Sequence, residues 1–238
     1  MEQLIQILAK VLFFAVIAGV FALVIRTFVR SHREDKRIRQ AWAELPRVAA
    51  ERGWTYEQRA RGQATQYCGI GPMPGSGSNL SAWHYITGEF RGRSFKCFEH
   101  RYNSPISGNQ PGERKRPTIE AIFMVTAPGS GRPVEILRPS KTDVLLDRRS
   151  RMRLDIPEFD DTFRVIAQDE HFARSLLSGS MASFLLADPR ARKYPLQLRD
   201  GELFTWYTGT LSPEALEEKL NYLCDVLDQI PAHAWTAA

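Results

Sequence analysis

"YPLQLRDGELFTWYTGTLSPEALEEKLNYLCDVLDQIP", residues 194–231, changes period halfway along. The first half reads as two strands around Asp200-Gly201, a pair that tolerates positive φ at both centres of a tight hairpin turn. The second half sets Leu216, Leu220, Leu223, Leu227 and Ile230 at helical spacing, which makes a stripe that faces a core. Ser212 stands where a side-chain oxygen caps a helix, with Pro213 at its first position and Pro231 at its stop. A hairpin followed by a one-faced helix predicts an α+β layer fold.

Working outward, "WHYITGEF" and "RSFKCFEHRY" flank Arg91-Gly92 and read as another antiparallel hairpin. With those two residues as the turn, Phe90 faces Arg93, His84 faces Glu99, and Cys97 lies diagonal to His84 on the same face. "TIEAIFMVTA" reads as a central strand, because its apolar character is nearly continuous. "PGSGRP" then turns the chain and "VEIL" pairs back. "WTYEQR" and "TFRVIAQ" are further strands. Asp169 caps the helix "EHFARSLLS", and "MASFLLAD" is a second short helix. "CGIGPMPGSGSNLSA" and residues 103–117 are loops, being rich in Gly, Pro, Ser and polar residues. Arg149, Arg151 and Arg153, with Arg148 beside them, form one basic row if that stretch is extended. Such a row either touches lipid phosphates or guards a solvated edge.

The N-terminal quarter differs. "VLFFAVIAGVFALVIRTFVRSHREDKRIRQ", residues 11–40, sets fifteen uncharged residues before a basic run. Counted from Leu4 to Ile25 the run is 22 residues, about 33 Å of helix, against a hydrocarbon core of about 30 Å. No small-residue cleavage site with permissive neighbours follows it, so a retained single-pass anchor is expected over a cleaved signal. Lys10, Arg26, Arg30, Arg33, Lys36, Arg37 and Arg39 are the expected orienting and lipid-headgroup residues. Their asymmetry puts the rest of the chain in the cytoplasm at the cell membrane. Ala15 with Gly19, and Ala18 with Ala22, sit four apart and suit a homodimer through the membrane helix. The domain reading is an anchor at 1–30, a basic juxtamembrane helix at 31–53 and an α+β domain at 54–238, with two lobes dividing near 140–160. Within the second segment, Ile38, Trp42 and Leu45 make a narrow apolar stripe, Pro46 ends the helix or opens another, and Gly53 is a C-cap. The segment either lies on anionic headgroups or packs on the domain through Trp42.

Charge and chemistry bound the function. Residues 1–39 carry seven basic and three acidic residues, a net +4, which leaves +1 of the total +5 for the other 199 residues. A nucleic-acid partner is not expected, since a binding domain would carry its own basic excess. Cys68, Cys97 and Cys224 are odd in number and widely spaced, which is no disulfide framework. The glycines of 68–82 lack a following GK[ST], so no phosphate loop and no nucleotide cofactor are expected. His84, Cys97 and Glu99 are three zinc-ligand types in view, one short of a closed site. No nucleophile–base pattern stands out, and Asp160-Asp161 point to opposite faces of an extended chain, so no catalytic residue is assigned.

"ERGWTY", "ITGEFRGRSFKCFEHRY", "DIPEFDDTFRVIAQDEHFARSLLS" and the closing "QIPAHAW" cover most of residues 51–235. Through them the chain resembles actinobacterial single-pass membrane-anchored proteins of unknown function. The resemblance implies an anchored domain and assigns no residue a role. The leading functional expectation is an anchored binding or scaffold module with a lipid bilayer and an unidentified protein as partners. Alternatives are a peripheral domain that senses anionic lipid, and an enzyme whose site gathers His84, Glu99 or Asp160 from distant positions.

Overall fold

The computed structural model describes residues 2–103, 117–139 and 151–236; the side chains of residues 1–18 and Ser31 lie outside that description. Residues 1–43 and 44–238 are two compact units. A helix, α1, runs Glu2–Glu51. It continues through Pro46, where a stop or restart was expected; Leu45 and Ala49, both fully buried, hold the turn on either side of the proline. Gly53 adopts φ +69°, Trp54 N–H donates to Ala49 O at 2.8 Å and Gly53 N–H to Ala50 O at 3.2 Å. That paired closure is the usual glycine-ended helix stop.

The membrane anchor expected over Leu4–Ile25 is not upheld. Among the described residues no helix is long and apolar enough to cross a membrane. With the span go the single-pass location, the hold on a lipid bilayer through it, and the homodimer through the membrane helix. Ala15 and Ala18, invoked for that dimer, have side chains outside the described residues.

Eight strands form one antiparallel sheet: β1 Thr55–Ala60, β2 Ala82–Phe90, β3 Arg93–Tyr102, β4 Thr118–Thr126, β5 Val134–Leu137, β6 Arg164–Ala167, β7 Leu196–Arg199 and β8 Glu202–Thr208. Their order is β1-β2-β3-β4-β8-β7-β5-β6. Among the described residues the helices that follow α1 are α2 Pro157–Thr162, α3 Glu170–Leu176, α4 Met181–Ala187, α5 Pro213–Gln229 and α6 Ala232–Thr236. This is the expected α+β arrangement without its membrane helix. Both hairpin turns form as read: Arg91 and Gly92 take φ +51° and +72°, Asp200 and Gly201 +52° and +75°. Ser212 Oγ accepts from Ala215 N–H at 3.2 Å and Asp169 Oδ1 from Phe172 N–H at 3.0 Å, so both caps are in place.

The returning "VEIL" does not pair with the central strand. β5 lies between β6 and β7, while β8 takes the free edge of β4 over Glu120–Thr126. Phe123 and Ile122 alternate to opposite faces, and both are fully buried. That leaves β4 needing a long partner, which four-residue β5 cannot supply. α5 covers one face of β4 and β8. The other face is closed by residues 64–80, with Tyr67, Ile70 and Met73 over Phe98, Ile122 and Phe204. Arg91 reaches Asp225 at 2.6 Å and Asp228 at 2.7 Å, and Arg190 reaches Asp188 at 2.7 Å and Asp225 at 2.8 Å. These ion pairs tie the first hairpin turn and the 188–190 turn to α5.

At one end of the sheet Trp54 packs edge-on against Phe95, with ring centroids 4.8 Å apart. The indole is admitted by Gly88, where an added Cβ would come 2.3 Å from Trp54 Cδ1 and 3.1 Å from Phe95 Cε1. Gly88→Ala therefore overpacks the site and costs about 1–3 kcal/mol in urea unfolding. A change below about 0.5 kcal/mol would show that Trp54 moves aside freely.

Candidate functional site

On α1, Arg26, Arg30, Arg33 and Arg37 are spaced four, three and four apart, so they fall in one row along the helix. All four are exposed. The turns before and around Arg26 carry exposed apolar side chains on all sides at 100° per residue: Phe21, Val24 and Phe28 opposite the row, Leu23 and Val29 beside it. Those side chains are open too, Phe21 to 67% and Phe28 to 73%. Lys36 is exposed about a quarter-turn from the row, and Arg39 is exposed on the opposite side, where its Nε donates to Asp35 O at 3.3 Å. Lys10 has its side chain outside the described residues. Six of the seven expected headgroup residues are thus described, four in one row with Lys36 beside it and Arg39 opposite it. An exposed apolar stretch followed at once by a row of arginines pairs lipid-seeking surface with positive charge along one helix.

The other chemical concentration is buried in the sheet of the second unit. β2 carries a bulge between Trp83 and Ile86, so Trp83, not His84, stands opposite Glu99. His84 takes φ +49°, a left-handed conformation uncommon for a non-glycine residue. The bulge turns its ring toward β1, where Tyr56 Oη lies 2.8 Å from His84 Nδ1. Glu99 is fully buried. Its Oε2 accepts from Arg101 Nε at 3.0 Å and Nη2 at 2.6 Å, and its Oε1 accepts from Leu211 N–H at 2.9 Å. The guanidinium carbons of Arg59 and Arg101 each lie 4.6 Å from the Trp83 ring centroid. Burial, and then the Arg101 charge, lower the His84 pKa to about 4. Burial first, then the Glu99 charge, raise that of Tyr56.

This cluster is a lock more than a reaction site. Glu99 spends both oxygens on protein donors, which suits it to holding β3 against the segment that leads into α5. Asp160 does not join it: its carboxylate accepts from Leu154 N–H at 3.0 Å and Asp155 N–H at 3.1 Å. Among the described residues no group of three or more His, Cys, Asp or Glu could hold a metal ion. Cys97 faces Ile86 across the ladder and is fully buried. Of the arginine row at 148–153, Arg148 and Arg149 lie outside the described residues; Arg151 and Arg153 are exposed on either side of buried Met152, and Arg151 Nη2 donates to Phe163 O at 3.1 Å.

Lys219 escaped the sequence reading. Only 2% exposed, it sets Nζ 3.5 Å from the Tyr194 ring centroid and 2.8 Å from Glu218 Oε2. Its place four residues before Leu223, on the apolar stripe of α5, was the available signal.

Three cavities are lined by described residues. One under α5, lined by Val134, Leu176, Met181, Leu198 and Ile230 among others, holds about 10 Å³. That is about one water, far below an acyl chain. Two wider surface hollows hold about 270 Å³ beside Trp206 and about 440 Å³ beside Arg190.

No protein-family model matches the sequence, and no curated protein matches it significantly. The fold is similar to the crystal structure of the mycobacterial trehalose monomycolate transport factor A, TtfA, with a TM-score of 0.55 and 15% identity over 80% of this chain and 94% of that one. At that identity the likeness shows a shared fold; the expected tie to single-pass anchored proteins is replaced by it.

Proposed function

We propose that this chain is a peripheral factor that docks on an anionic lipid surface through the Val20–Arg37 stretch of α1 and serves lipid transport there. The carrying observation is the run of exposed apolar side chains from Val20 to Val29, joined along the helix to a row of four exposed arginines. Apolar side chains that open to water need a cover, and cationic neighbours select an anionic one. The transport part rests on the shared fold with a factor for trehalose monomycolate transport. The role favoured is recruitment or support at the surface, because the lipid-directed residues are exposed on α1.

The test is flotation of the full chain with phosphatidylcholine vesicles, with and without phosphatidylglycerol. Each arginine near an anionic surface contributes about 1 kcal/mol. Changing Arg26, Arg30, Arg33 and Arg37 together to Gln therefore weakens binding by up to about a thousandfold. Salt weakens the native chain in the same direction. Equal binding to both vesicle types, or binding indifferent to the four changes, defeats the reading.

A further inference from the structure

The hollow of about 270 Å³ is lined by Leu137, Arg138, Lys193, Tyr194, Pro195 and Trp206 among others. Its size falls just under the range of drug-sized ligand sites, about 300–1,000 Å³, so a fitting ligand is small. Its walls are of two kinds. Trp206, Pro195 and Leu137 offer flat and apolar surface, and Tyr194, its ring covered on one side by Lys219 Nζ at 3.5 Å, closes the edge. Arg138 and Lys193, both exposed, offer charge, and among the described residues no carboxylate pairs with either.

Trp206 is held in place from behind. Its ring rests on Gly71, where an added Cβ would come 2.7 Å from Cδ2. Gly71 N–H in turn donates to Gln197 Oε1 at 3.0 Å, and Gln197 Nε2 to Glu135 Oε1 at 3.2 Å. Gln197 is only 3% exposed, so this brace is built into the sheet. Arg138 Nη1 donates to Arg192 O at 3.4 Å, which leans the guanidinium across the 190–194 turn.

A fixed indole beside two cations suits a ring with an apolar face and an anionic substituent. A pyranose or cyclitol ring lays C–H groups on the indole, and a phosphate takes the arginine and lysine donors. The geometry points to this hollow as a binding site for a phosphorylated sugar ring. The same chemistry is carried by a free sugar phosphate and by a phosphoinositide-type lipid headgroup. The inference does not depend on α1, which has its own residues and its own vesicles.

Titration calorimetry of the full chain with glucose 6-phosphate and inositol 1-phosphate tests the free form. Flotation with phosphatidylinositol against phosphatidylglycerol vesicles tests the lipid-borne form. Binding of either soluble probe, weakened at least about tenfold in Arg138→Gln/Lys193→Gln, is the expected result, since removing a charge-assisted hydrogen bond to phosphate has about that effect. Preference for phosphatidylinositol that the same double change abolishes supports the lipid source. Trp206→Phe keeps the core filled, and should weaken the sugar phosphates while leaving any inorganic phosphate binding unchanged. Both altered residues are exposed, so the double variant should melt with the native chain. Absence of binding in both arms, or binding that the double variant retains, overturns the assignment. A defect in phosphatidylglycerol binding confined to the α1 variant leaves it untouched.

Discussion

Replacing Glu99 by alanine lowers the stability of the chain by about 3–5 kcal/mol, the loss expected when one partner of a buried ion pair is removed. Glu99 is fully buried and serves three donors, two from Arg101 and one from Leu211 N–H. Alanine leaves the Arg101 charge, 19% exposed at its side chain, without this partner, and strips a buried backbone donor of its acceptor. In a unit of this size each kcal/mol moves Tm by about 2–4 °C, so the shift is roughly 6–20 °C. Glu99→Gln keeps an acceptor for Leu211 and loses only the charge, and it falls between the two. Glu99→Ala/Arg101→Ala costs less than the sum of the single changes, because the second removes the charge the first abandoned. Thermal melts of the four chains decide it. A Glu99→Ala melt within about 2 °C of native would mean that water replaces the carboxylate and the cluster holds nothing together.

The pair was within reach of the sequence. Glu99 and Arg101 sit two apart on one strand, and alternate residues share a face. What hid them was the bulge at His84: the expected register put His84 opposite Glu99, and a single extra residue in β2 gave that place to Trp83. Nothing local announces the bulge, since His84 at φ +49° is held by its surroundings rather than by its own preference. The two hairpin turns were legible because Arg91-Gly92 and Asp200-Gly201 each end on the residue that positive φ favours. α5 was legible because cap, first-turn proline and leucine stripe agree. The partner of β5 was not, because strand pairing over long sequence distance is settled by which edge lacks a ladder. α2 and α6, of six and five residues, are too short to show a period. The reading of α1 failed in a different way. A count of apolar residues made the span long enough, whereas among the described residues no helix is long and apolar enough to cross a membrane.

Stability should fall as pH drops from about 6.5 to about 4, and His84 should carry a measurable share of the fall. The folded chain holds the ring near pKa 4, because burial and then Arg101 disfavour the imidazolium; the unfolded chain has it near 6.5. The unfolded state therefore binds more protons throughout that window, and stability rises with pH across it. The stabilisation is complete above the unfolded value and is lost progressively down to the folded one. The slope is at most about 1.4 kcal/mol per pH unit and the total at most about 3 kcal/mol. Beside the ring stand the Tyr56 hydroxyl, at 2.8 Å, and the Arg101 guanidinium, whose charge disfavours protonation. His100, its pKa also lowered by burial, adds in the same direction. Glu120, its pKa raised by burial, subtracts. The difference between native and His84→Asn isolates the one residue, since asparagine accepts the left-handed backbone at this bulge. Urea unfolding at several pH values should show the native curve falling more steeply than that of the variant between pH 6.5 and 4. If the two curves run parallel, water already reaches His84, and the bulge has placed the ring without shutting it in.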